Sequence, residues 1–518
     1  MWNLVNIVVS IFRVLIMYAP IQSANFSTED GALVDGSDHP CDHLTGSYQT
    51  WLSKAVEVEV VVVGGGVAGL TAVKTLLENE VNDVIVLEAQ DRLGGRIRTI
   101  RQDGVLVEEG AEWIHGGTRN PVNRLAASLQ ALDPILPDDA WDWRLVTQDG
   151  RAGDHQAYEL AEKLLEKCKE NGILTPYYNT SYGQYYVDGF HKHFKSRSSS
   201  DMKKAALRYL EQMVNYMEGT GSWFDISARD ADQFVDYGDD FQWKDGYDTL
   251  ITYLKESIPD SAVKLSSPVC KIFWDEPAEE RVLVVTLTGD AYLASHVIVT
   301  ASVAHLQERH THIFHPALPQ SLVNALMNVR LGVANKVQVG WAEPWWGSKP
   351  LELHILWTTF DLSENMSWLY GVTIMFSIHQ HWTVLETFVT GANSTYMESL
   401  PESIVKEHIL YLLRRVIGDI VPEPTFFRRT RWGSNPWTRG SYSSFITLDG
   451  DKAGIHRHDQ LASPLVNSKG KTVVLWAGEH THNTRYSTVD GAMETGKHEA
   501  LKIISKLKPS SSSVLVEH

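Results

Sequence analysis

The chain has 518 residues, of which 43% are hydrophobic, 21% are charged and 3 are cysteine. This apolar content excludes an intrinsically disordered chain, and three cysteines, which close at most one disulfide bond, exclude a small disulfide scaffold. Lys and Arg total 46 against 64 Asp and Glu, a formal net charge of -18, which disfavours nucleic acid as a partner. That charge either attracts cationic small molecules or simply keeps the protein soluble.

The N-terminus predicts entry into the secretory pathway. Residues 1–24 have a mostly apolar segment followed by small residues near Ala24, as in a signal peptide. Arg13 interrupts the apolar segment, so a membrane anchor is the alternative. Glycosylation sequons begin at Asn25, Asn179, Asn365 and Asn393. We therefore expect a secreted glycoprotein that has no membrane association after removal of the leader.

The first folded segment reads as a βαβ unit. Residues 25–54 are polar and predict a loose N-terminal arm. The β-branched run from Val56 to Val63 is typical of a central parallel strand and ends in three glycines. Helical periodicity over residues 67–80 and an apolar run over residues 83–87 complete the unit.

Further elements follow from hydrophobic periodicity. Helices are predicted over residues 155–170, 201–218, 399–416 and 491–506. The first two are separated by a Tyr-rich and Ser-rich stretch, residues 177–200, for which no element is predicted. Strands are predicted over residues 281–287, 296–300, 335–341, within 370–390 and over 472–476. The end of the chain, residues 509–518, is predicted to be disordered.

The glycines after the first strand predict a dinucleotide site. Residues 64–69 fit G-x-G-x-x-G between a strand and a helix. Gly64 allows the tight turn, Gly66 lets a pyrophosphate approach, and Gly69 allows close packing of helix on strand. The helix N-terminus would attract the phosphates. Glu88, at the end of the next strand, can bind the ribose hydroxyls.

A second glycine pair narrows the choice of dinucleotide. Residues 92–99 read Arg-Leu-Gly-Gly-Arg-Ile-Arg-Thr, and this R-x-G-G-R-x-x-T pattern resembles the extension that follows the first βαβ unit in FAD-dependent oxidases. Arg92, Gly95 and Arg96 would add cations and backbone donors near the pyrophosphate.

A third motif lies near the C-terminus and carries a family resemblance. Residues 475–481 read Leu-Trp-Ala-Gly-Glu-His-Thr, and residues 486–492 read Tyr-Ser-Thr-Val-Asp-Gly-Ala at the start of a helix. Together with the two glycine motifs, they resemble the flavin-containing amine oxidases, specifically the polyamine and spermine oxidase branch. The resemblance covers roughly residues 56–506.

The resemblance implies an α/β fold: a doubly wound, Rossmann-like FAD-binding domain interleaved with an α+β substrate domain. The FAD domain would comprise residues 55–140, 235–305 and 425–508, and the substrate domain residues 141–234 and 306–424. Glu479 would hold the ribityl chain, Val269 the adenine, and Thr488 and Val489 the pyrimidine edge of the flavin. The complete set of predicted FAD-binding residues is Gly64, Gly66, Ala68, Gly69, Glu88, Arg92, Gly95, Arg96, Val269, Glu479, Thr488 and Val489.

The resemblance also implies catalytic and substrate-binding residues. Lys336 matches the lysine that holds a water near flavin N5, and Trp113-Ile114-His115-Gly116 resembles a segment that places His115 beside the substrate amine. Tyr442 would form an aromatic wall before the flavin, and Trp113 would contact substrate. Thr488 stands where monoamine oxidases have a second aromatic residue, so the polyamine branch is favoured over a narrow monoamine cage.

The predicted reaction is oxidation of a polyamine, whether spermine, spermidine or an N-acetylated form. Hydride would pass from the carbon beside a secondary amine to flavin N5. Water would then hydrolyse the imine, and O₂ would be reduced to H₂O₂. Glu218 and Asp225 are regional candidates for binding distal ammonium groups. The expected partners are the amine and O₂, with no metal, and the chain is expected to be a monomer or weak dimer.

Alternative functions stay open on the sequence. A secreted L-amino-acid oxidase would need an arginine to clamp a carboxylate, and Arg144 or Arg431 could serve. A catalytically silent flavoprotein scaffold is the alternative of another class, although the joint presence of His115, Lys336 and Glu479 argues against it. A nicotinamide dehydrogenase is disfavoured by the second glycine pair and the C-terminal motif.

Overall fold

The structure is a computed structural model that describes residues 39–508, except 103, 135, 169, 171, 195–199, 277–278, 379–380 and 443. The predicted signal peptide, Asn25 and the predicted disordered end, residues 509–518, lie outside the described residues. The chain divides into two units after His43. In the first unit the described part, residues 39–43, holds a 3-10 turn at Pro40–His43. The second unit spans residues 44–518.

The second unit alternates strands and helices. The helices are α1 (Tyr48–Leu52), α2 (Val67–Glu78), α3 (Pro121–Ser128), α4 (His155–Lys167), α5 (Tyr182–His193), α6 (Ser200–Glu218), α7 (Ala228–Ala231), α8 (Asp248–Glu256), α9 (Val303–Ile313), α10 (Gln320–Asn328), α11 (Gly391–Ser399), α12 (Glu402–Ile417), α13 (Leu448–Lys452) and α14 (Val489–Leu507).

The strands are short, as is usual for a mixed fold. They are β1 (Val56–Val63), β2 (Val84–Leu87), β3 (Thr99–Gln102), β4 (Val105–Glu108), β5 (Trp113–Ile114), β6 (Leu132–Pro134), β7 (Asp142–Thr147), β8 (Phe241–Trp243), β9 (Val263–Lys264), β10 (Val269–Phe273), β11 (Val282–Thr286), β12 (Ala291–Val299), β13 (Phe314–His315), β14 (Val329–Leu331), β15 (Ala334–Gly340), β16 (Leu351–Leu356), β17 (Ile374–Ile378), β18 (His381–Thr390), β19 (Phe426–Arg429), β20 (Ser444–Ile446), β21 (Leu465–Val466) and β22 (Thr472–Trp476).

The largest sheet has β1 at its centre. β1 pairs in parallel with both β2 and β12, and β12 pairs in parallel with β22. Val60 and Val62 pack into one hydrophobic cluster, and Val58 and Val61 into another. The strand is therefore covered on both faces, which is why its sequence is a continuous apolar run rather than an alternating one. The central parallel strand predicted from this run is confirmed, as is the doubly wound sheet that the resemblance implied.

A second sheet has the order β19-β15-β18-β17-β16-β7. Its strands come from two stretches of the chain, β7 and then β15 to β19, which lie between the stretches that build the first sheet. Val337 and Val339 pack into the core on one face. Since side chains alternate along a strand, Lys336 and Gln338 point to the opposite face. The two sheets thus form the interleaved α/β architecture that the resemblance implied.

Several predicted elements change at their edges or in kind. The stretch 177–200, for which no element was predicted, contains α5. The helix can pack closely at this place because two of its residues are glycines. A Cβ at Gly183 would lie only 2.5 Å from the Trp223 ring, and a Cβ at Gly189 would lie only 2.7 Å from Leu164. The predicted loose arm contains α1, whose Trp51 packs on Phe273. The strand-like stretch 370–390 is two paired strands, and the strand predicted at 296–300 is the end of the longer β12.

Within the described residues, no helix is both long enough and apolar enough to cross a membrane.

Candidate active site

The turn between β1 and α2 has the geometry that its glycines require. Gly64 has φ of +106°, in the left-handed region that favours glycine. A Cβ at Gly69 would lie 2.0 Å from the Gly64 carbonyl oxygen, so the helix can approach the strand only without a side chain there. A Cβ at Gly66 would meet nothing within 4 Å. The N-terminus of α2 is therefore open to a ligand at Gly66 and tightly packed at Gly69.

Glu88 follows β2 and faces this turn. Its carboxylate accepts hydrogen bonds from the backbone N–H of Gly65, at 2.7 Å, and of Gln90, at 2.8 Å. Burial raises the pKa of Glu88, and these two backbone donors oppose the shift. Each carboxylate oxygen keeps a second lone pair, so Glu88 can still accept from ribose hydroxyls.

The second glycine pair is shaped by Arg92, whose guanidinium donates to the carbonyls of Leu93, Gly95 and Ile97. These hydrogen bonds hold the loop of residues 92–97 in one conformation. Arg92 is not among the residues that line the cleft described below. Arg92 thus orders the loop, whereas the sequence led us to expect it at the pyrophosphate. Its assignment as an FAD-binding residue stays a prediction.

Glu479 and Arg96 join the two ends of the chain. Arg96 donates to Glu479 Oε1 at 2.8 Å and to the Ser441 carbonyl at 2.8 Å. Glu479 Oε2 accepts from the Ser487 N–H at 3.0 Å. This buried carboxylate precedes the N-terminus of α14, which Thr488 caps by accepting from the Gly491 N–H. The loop that holds Glu479 and the helix that follows are therefore fixed to each other.

A continuous cleft connects these groups and has about 1510 Å³ of empty space, including the solvent at its mouth. The predicted residues that line it are Gly64, Gly66, Ala68, Glu88, Gly95, Arg96, Val269, Lys336, Tyr442, Glu479, Thr488 and Val489. Gly69, Arg92, Trp113 and His115 are not among the lining residues.

The cleft fits FAD. The open N-terminus of α2 can take a pyrophosphate, Glu88 a ribose, and the β10 end at Val269 an adenine. Glu479, Thr488 and Val489 lie at the far end, where the N-terminus of α14 presents its positive dipole to an electron-accepting ring.

Lys336 reaches the cleft because of strand register. In the β15–β18 pair, Lys336 lies opposite Phe388 and Gln338 lies opposite Glu386. All four side chains therefore share the sheet face that points away from the Val337–Val339 core. Lys336 Nζ lies 5.0 Å from the centre of the Phe388 ring.

Carboxylates surround the Lys336 ammonium. Nζ lies 2.5 Å from Glu112 Oε2 and 3.2 Å from Glu386 Oε1, and all three side chains are buried. Burial lowers the pKa of Lys336, but Glu112, Glu386 and Glu108 reverse that effect, so the pKa is raised overall. Lys336 is therefore an ammonium at neutral pH.

Glu108 and Glu386 resist ionisation. Burial raises the pKa of Glu108 to about 8, although the Tyr247 N–H and the Thr99 hydroxyl donate to it. Burial, then the charge of Glu112, raises the pKa of Glu386 well above its usual value.

Aromatic rings flank Lys336. The Phe388 ring centre lies 4.9 Å from that of Tyr216 and 6.3 Å from that of Tyr442. Tyr442 donates its hydroxyl to the Tyr216 carbonyl and is half-buried. Burial raises the pKa of Tyr442, so it is a neutral phenol at the cleft wall. These rings form an apolar wall on which an alkyl chain can pack.

His115 lies elsewhere. Its Nδ1 is 3.1 Å from Asp240 Oδ1, and its side chain is 48% exposed. Its backbone carbonyl accepts from Arg485. Trp113 packs on Phe376 with ring centres 6.2 Å apart. We expected His115 to lie beside a substrate in the cleft, but His115 is not among the residues that line the cleft. Its catalytic role stays a prediction.

The two acidic candidates separate clearly. Glu218 ends α6, and among the described residues it makes no hydrogen bond or ion pair. Burial and then Asp230 raise the pKa of Glu218 to about 7, and its charge in turn raises the pKa of Tyr442. Asp225 is exposed and lies 3.4 Å from Arg330. Glu218 follows Tyr216 by two residues on α6 but is not among the residues that line the cleft, whereas Asp225 belongs to a surface ion pair.

Arg144 and Arg431, the arginines that could bind a substrate carboxylate in an amino-acid oxidase, are not among the residues that line the cleft. Arg144 pairs with Asp142 at 2.5 Å, and Arg431 is exposed. Among the described lining residues the arginine is Arg96, which is already bound to Glu479 and Ser441.

Sequence reasoning missed the residues that surround Lys336. Glu386 and Phe388 lie about fifty residues away in the chain, and only strand register brings them there. Glu112 directly precedes the Trp113–Gly116 segment, but that position gave no sign of a contact with Lys336. Trp432 and Trp437 line the cleft from a loop with no recognisable pattern.

A nucleotide-shaped cleft on a doubly wound sheet, with a buried lysine facing its far end, defines a flavoprotein oxidoreductase. The sequence profile of the flavin containing amine oxidoreductases matches residues 67–504, and the chain belongs to this family. FAD is therefore its cofactor.

Curated relatives cover most of the chain. The peroxisomal N(1)-acetyl-spermine/spermidine oxidase of Bos taurus is 30% identical over 498 residues, which cover 87% of this chain and 96% of that protein. A probable polyamine oxidase 5 of Arabidopsis thaliana is 25% identical, covering 88% and 99%. Wild-type putrescine oxidase bound to putrescine superposes with a TM-score of 0.65 at 20% identity, covering 87% of this chain and all of that one. This last similarity supports the fold.

Proposed function

We propose that the protein oxidises polyamines. The observation that carries this proposal is the acid Glu218, which makes no hydrogen bond or ion pair among the described residues and lies two residues along α6 from Tyr216, whose carbonyl accepts from Tyr442. A polyamine has the matching chemistry, since apolar methylene segments separate its cationic nitrogens. One segment would pack on Tyr442 and Phe388 while a distal ammonium pairs with Glu218. The names of the curated relatives support the same substrate class.

The apolar wall also suits the reacting nitrogen. A free aliphatic amine behaves like lysine, with a pKa of about 10.4, and must be neutral before it can lose hydride from its neighbouring carbon. A dry aromatic environment favours the neutral form. When bound, FAD would accept the hydride equivalent and pass its electrons to O₂, giving H₂O₂. Water would hydrolyse the resulting imine to an aldehyde and a shorter amine.

Glu218 provides the test of substrate class within the chain. Replacing it (Glu218→Gln) removes the charge that would pair with a distal ammonium, so KM for spermine should rise at least tenfold with a smaller change in kcat. The cost corresponds to a charge-assisted hydrogen bond, about 1.5–3 kcal/mol. The matched control Asp225→Asn should leave KM unchanged. An unaltered KM in Glu218→Gln would remove Glu218 from substrate binding.

The decisive experiment is the visible spectrum of the purified flavoprotein before and after anaerobic addition of spermine, spermidine and their N-acetylated forms. Bleaching of the oxidised flavin by any of them supports the proposal, and their relative rates identify the preferred amine. Bleaching by L-amino acids but not by polyamines would replace it with an amino-acid oxidase. A flavin that none of these reduces would favour the silent scaffold.

We also propose that the protein enters the secretory pathway. Asn179 and Asn365 are exposed, and Cys270 is disulfide-bonded, as is usual for oxidising compartments. Asn393 is less accessible, because its side-chain amide lies so close to Gly371 that a Cβ there would be 2.8 Å away.

Expression in a secreting eukaryotic cell tests this. Glycosidase treatment should reduce the mass of the secreted protein. Asn179→Gln and Asn365→Gln should each remove one glycan, while the matched control Asn393→Gln should remove none. A protein retained in the cytosol without glycans would contradict the proposal.

A further inference from the structure

The cluster around Lys336 holds more buried carboxylates than cations. Lys336 Nζ contacts Glu112 and Glu386, whose side chains are 8% and 0% exposed. Two ionised carboxylates beside one ammonium would leave a net negative charge away from water. An unpaired buried charge is strongly unfavourable, and such groups normally keep a proton instead.

The contacts locate this proton. Glu112 Oε2 and Glu386 Oε1 both contact Lys336 Nζ, at 2.5 Å and 3.2 Å, so the two carboxyl groups meet at one ammonium. Two ionised carboxylates so placed repel each other, and a proton on one of them removes that repulsion. Glu386 Oε2 accepts from Gln338 Nε2 at 2.6 Å, and Glu112 Oε1 accepts from Gln242 Nε2 at 3.1 Å. Glu386 Oε1 is buried, and its printed contact among the described residues is the 3.2 Å ion pair with Lys336 Nζ, so it has a lone pair available for the shared proton.

We propose that Glu112 and Glu386 share a single proton beside the Lys336 ammonium, and that this neutral triad is the device that holds Lys336 charged and in place at the cleft wall. Glu112 and Glu386 are then positioning residues that act through Lys336. This goes beyond amine oxidation: it assigns a protonation state to the triad, and only the use made of Lys336 rests on the proposed function.

The triad has a chemical consequence. An ammonium held by two carboxyl groups has no lone pair, so Lys336 cannot take the proton that a cationic amine loses. Lys336 can only donate, through its remaining N–H, toward the cleft that it lines. The amine's proton must leave by another route.

Other titratable groups face the triad and must be separated from it in a test. Glu108 approaches from β4, and the phenols of Tyr216 and Tyr442 approach from α6 and from the loop before β20. Burial raises the pKa of both tyrosines, so they stay neutral. Glu108 is the group that could be mistaken for the shared proton, because its own pKa is raised to about 8 and it is protonated at neutral pH.

Infrared spectroscopy of the resting, FAD-loaded protein tests the inference without substrate. The carbonyl stretch of a protonated carboxyl lies at a higher frequency than the bands of carboxylates and amides. The spectra are measured above pH 8, where Glu108 is ionised. There the band of the wild-type protein should correspond to one protonated carboxyl more than the band of Glu112→Gln, and likewise one more than that of Glu386→Gln. Both variants lose the band because a single remaining carboxylate is neutralised by Lys336. The control Glu108→Gln should keep the band.

Lys336→Met gives an independent readout. Without the ammonium, both carboxyls should be protonated, so the band should gain one further carboxyl. Bands that are unchanged in folded Glu112→Gln or in Lys336→Met would overturn the inference. If Glu386→Gln fails to fold, the other two variants still decide it. If the protein oxidises polyamines but lacks the extra carboxyl band, only this inference is wrong. If the band is present but no amine is oxidised, only the proposed function is wrong.

Discussion

Lys336 illustrates how a residue acquires its chemistry from its neighbours. On an apolar strand, an isolated lysine would lose its proton on burial. Here Glu112 lies 2.5 Å from Nζ and Glu386 lies 3.2 Å away, so the charged form is stabilised instead. Removing one partner of such a buried group is costly, because the remaining charge has no water to solvate it.

Lys336→Met should slow flavin reduction by polyamine at least about 10²-fold, the size expected for loss of a positioned proton donor. It should also lower the free energy of unfolding at neutral pH by about 3 kcal/mol, because Glu112 and Glu386 lose their cation. Stopped-flow reduction and thermal unfolding measure the two effects. Lys469→Met, at an exposed lysine, is the control. Wild-type reduction rates in Lys336→Met would exclude Lys336 from the reaction.

His115→Ala should have a smaller effect, less than tenfold on the reduction rate. The reason is that the His115 side chain is half-exposed and held by Asp240, away from the residues that line the cleft. The same stopped-flow assay decides. A loss as large as that of Lys336→Met would show that His115 does reach the substrate amine, as the family resemblance implies.

At the scale of elements, two helix N-termini and the strand ends before them make the cofactor site. α2 begins after the three glycines that follow β1, and α14 begins after the loop that holds Glu479, which follows β22. The two helices also pack closely, since a Cβ at Gly496 would lie 2.1 Å from the Ala68 carbonyl oxygen. Both positive dipole ends therefore meet in one cleft although they are over 400 residues apart in the chain.

The glycines of α2 should separate folding from cofactor binding. Gly69→Ala places a methyl group against the Gly64 carbonyl and should lower stability by about 2 kcal/mol or more. Gly66→Ala has room in the protein, so the apoprotein should keep its Tm while FAD affinity falls about tenfold, roughly 1.4 kcal/mol. Gly117→Ala, in open space, should change neither. Equal FAD affinity in Gly66→Ala would mean that the pyrophosphate does not approach there.

At the scale of the whole molecule, buried acids with raised pKa values set the dependence of stability on pH. Folded Glu108 keeps its proton up to about pH 8, whereas in the unfolded chain it loses it near 4.5. Between these values the folded state binds more protons, so stability falls as the pH rises. Buried His480 acts in the opposite direction below neutrality, because burial lowers its pKa to about 4.

Glu108→Gln should flatten the alkaline side of this profile. Between pH 5 and 8 the wild-type free energy of unfolding should fall relative to the variant, by up to about 1.4 kcal/mol per pH unit. Denaturant unfolding at a series of pH values measures the difference, and Glu343→Gln, at an exposed acid, should keep the wild-type slope. Parallel profiles for wild type and Glu108→Gln would mean that Glu108 is ionised in the folded protein.

The local patterns of the sequence were sufficient for the cofactor site. A β-branched run, three spaced glycines and a terminal acid predict a βαβ unit, because turn sterics, helix dipole and strand burial act over a few residues. Helix α5 was missed because its glycines suit contacts with Trp223 and Leu164 that no local pattern reveals.

By itself, the sequence determined the fold class, the FAD cofactor and the amine oxidoreductase family, since each depends on short motifs in a fixed order. Only the tertiary structure decided what surrounds Lys336. Its partners Glu112 and Glu386 come from a loop and from a paired strand, and their contact depends on strand register. Tertiary contacts likewise ordered Arg92 into its own loop and placed His115 against Asp240, because hydrogen bonds between distant segments override what local spacing suggests.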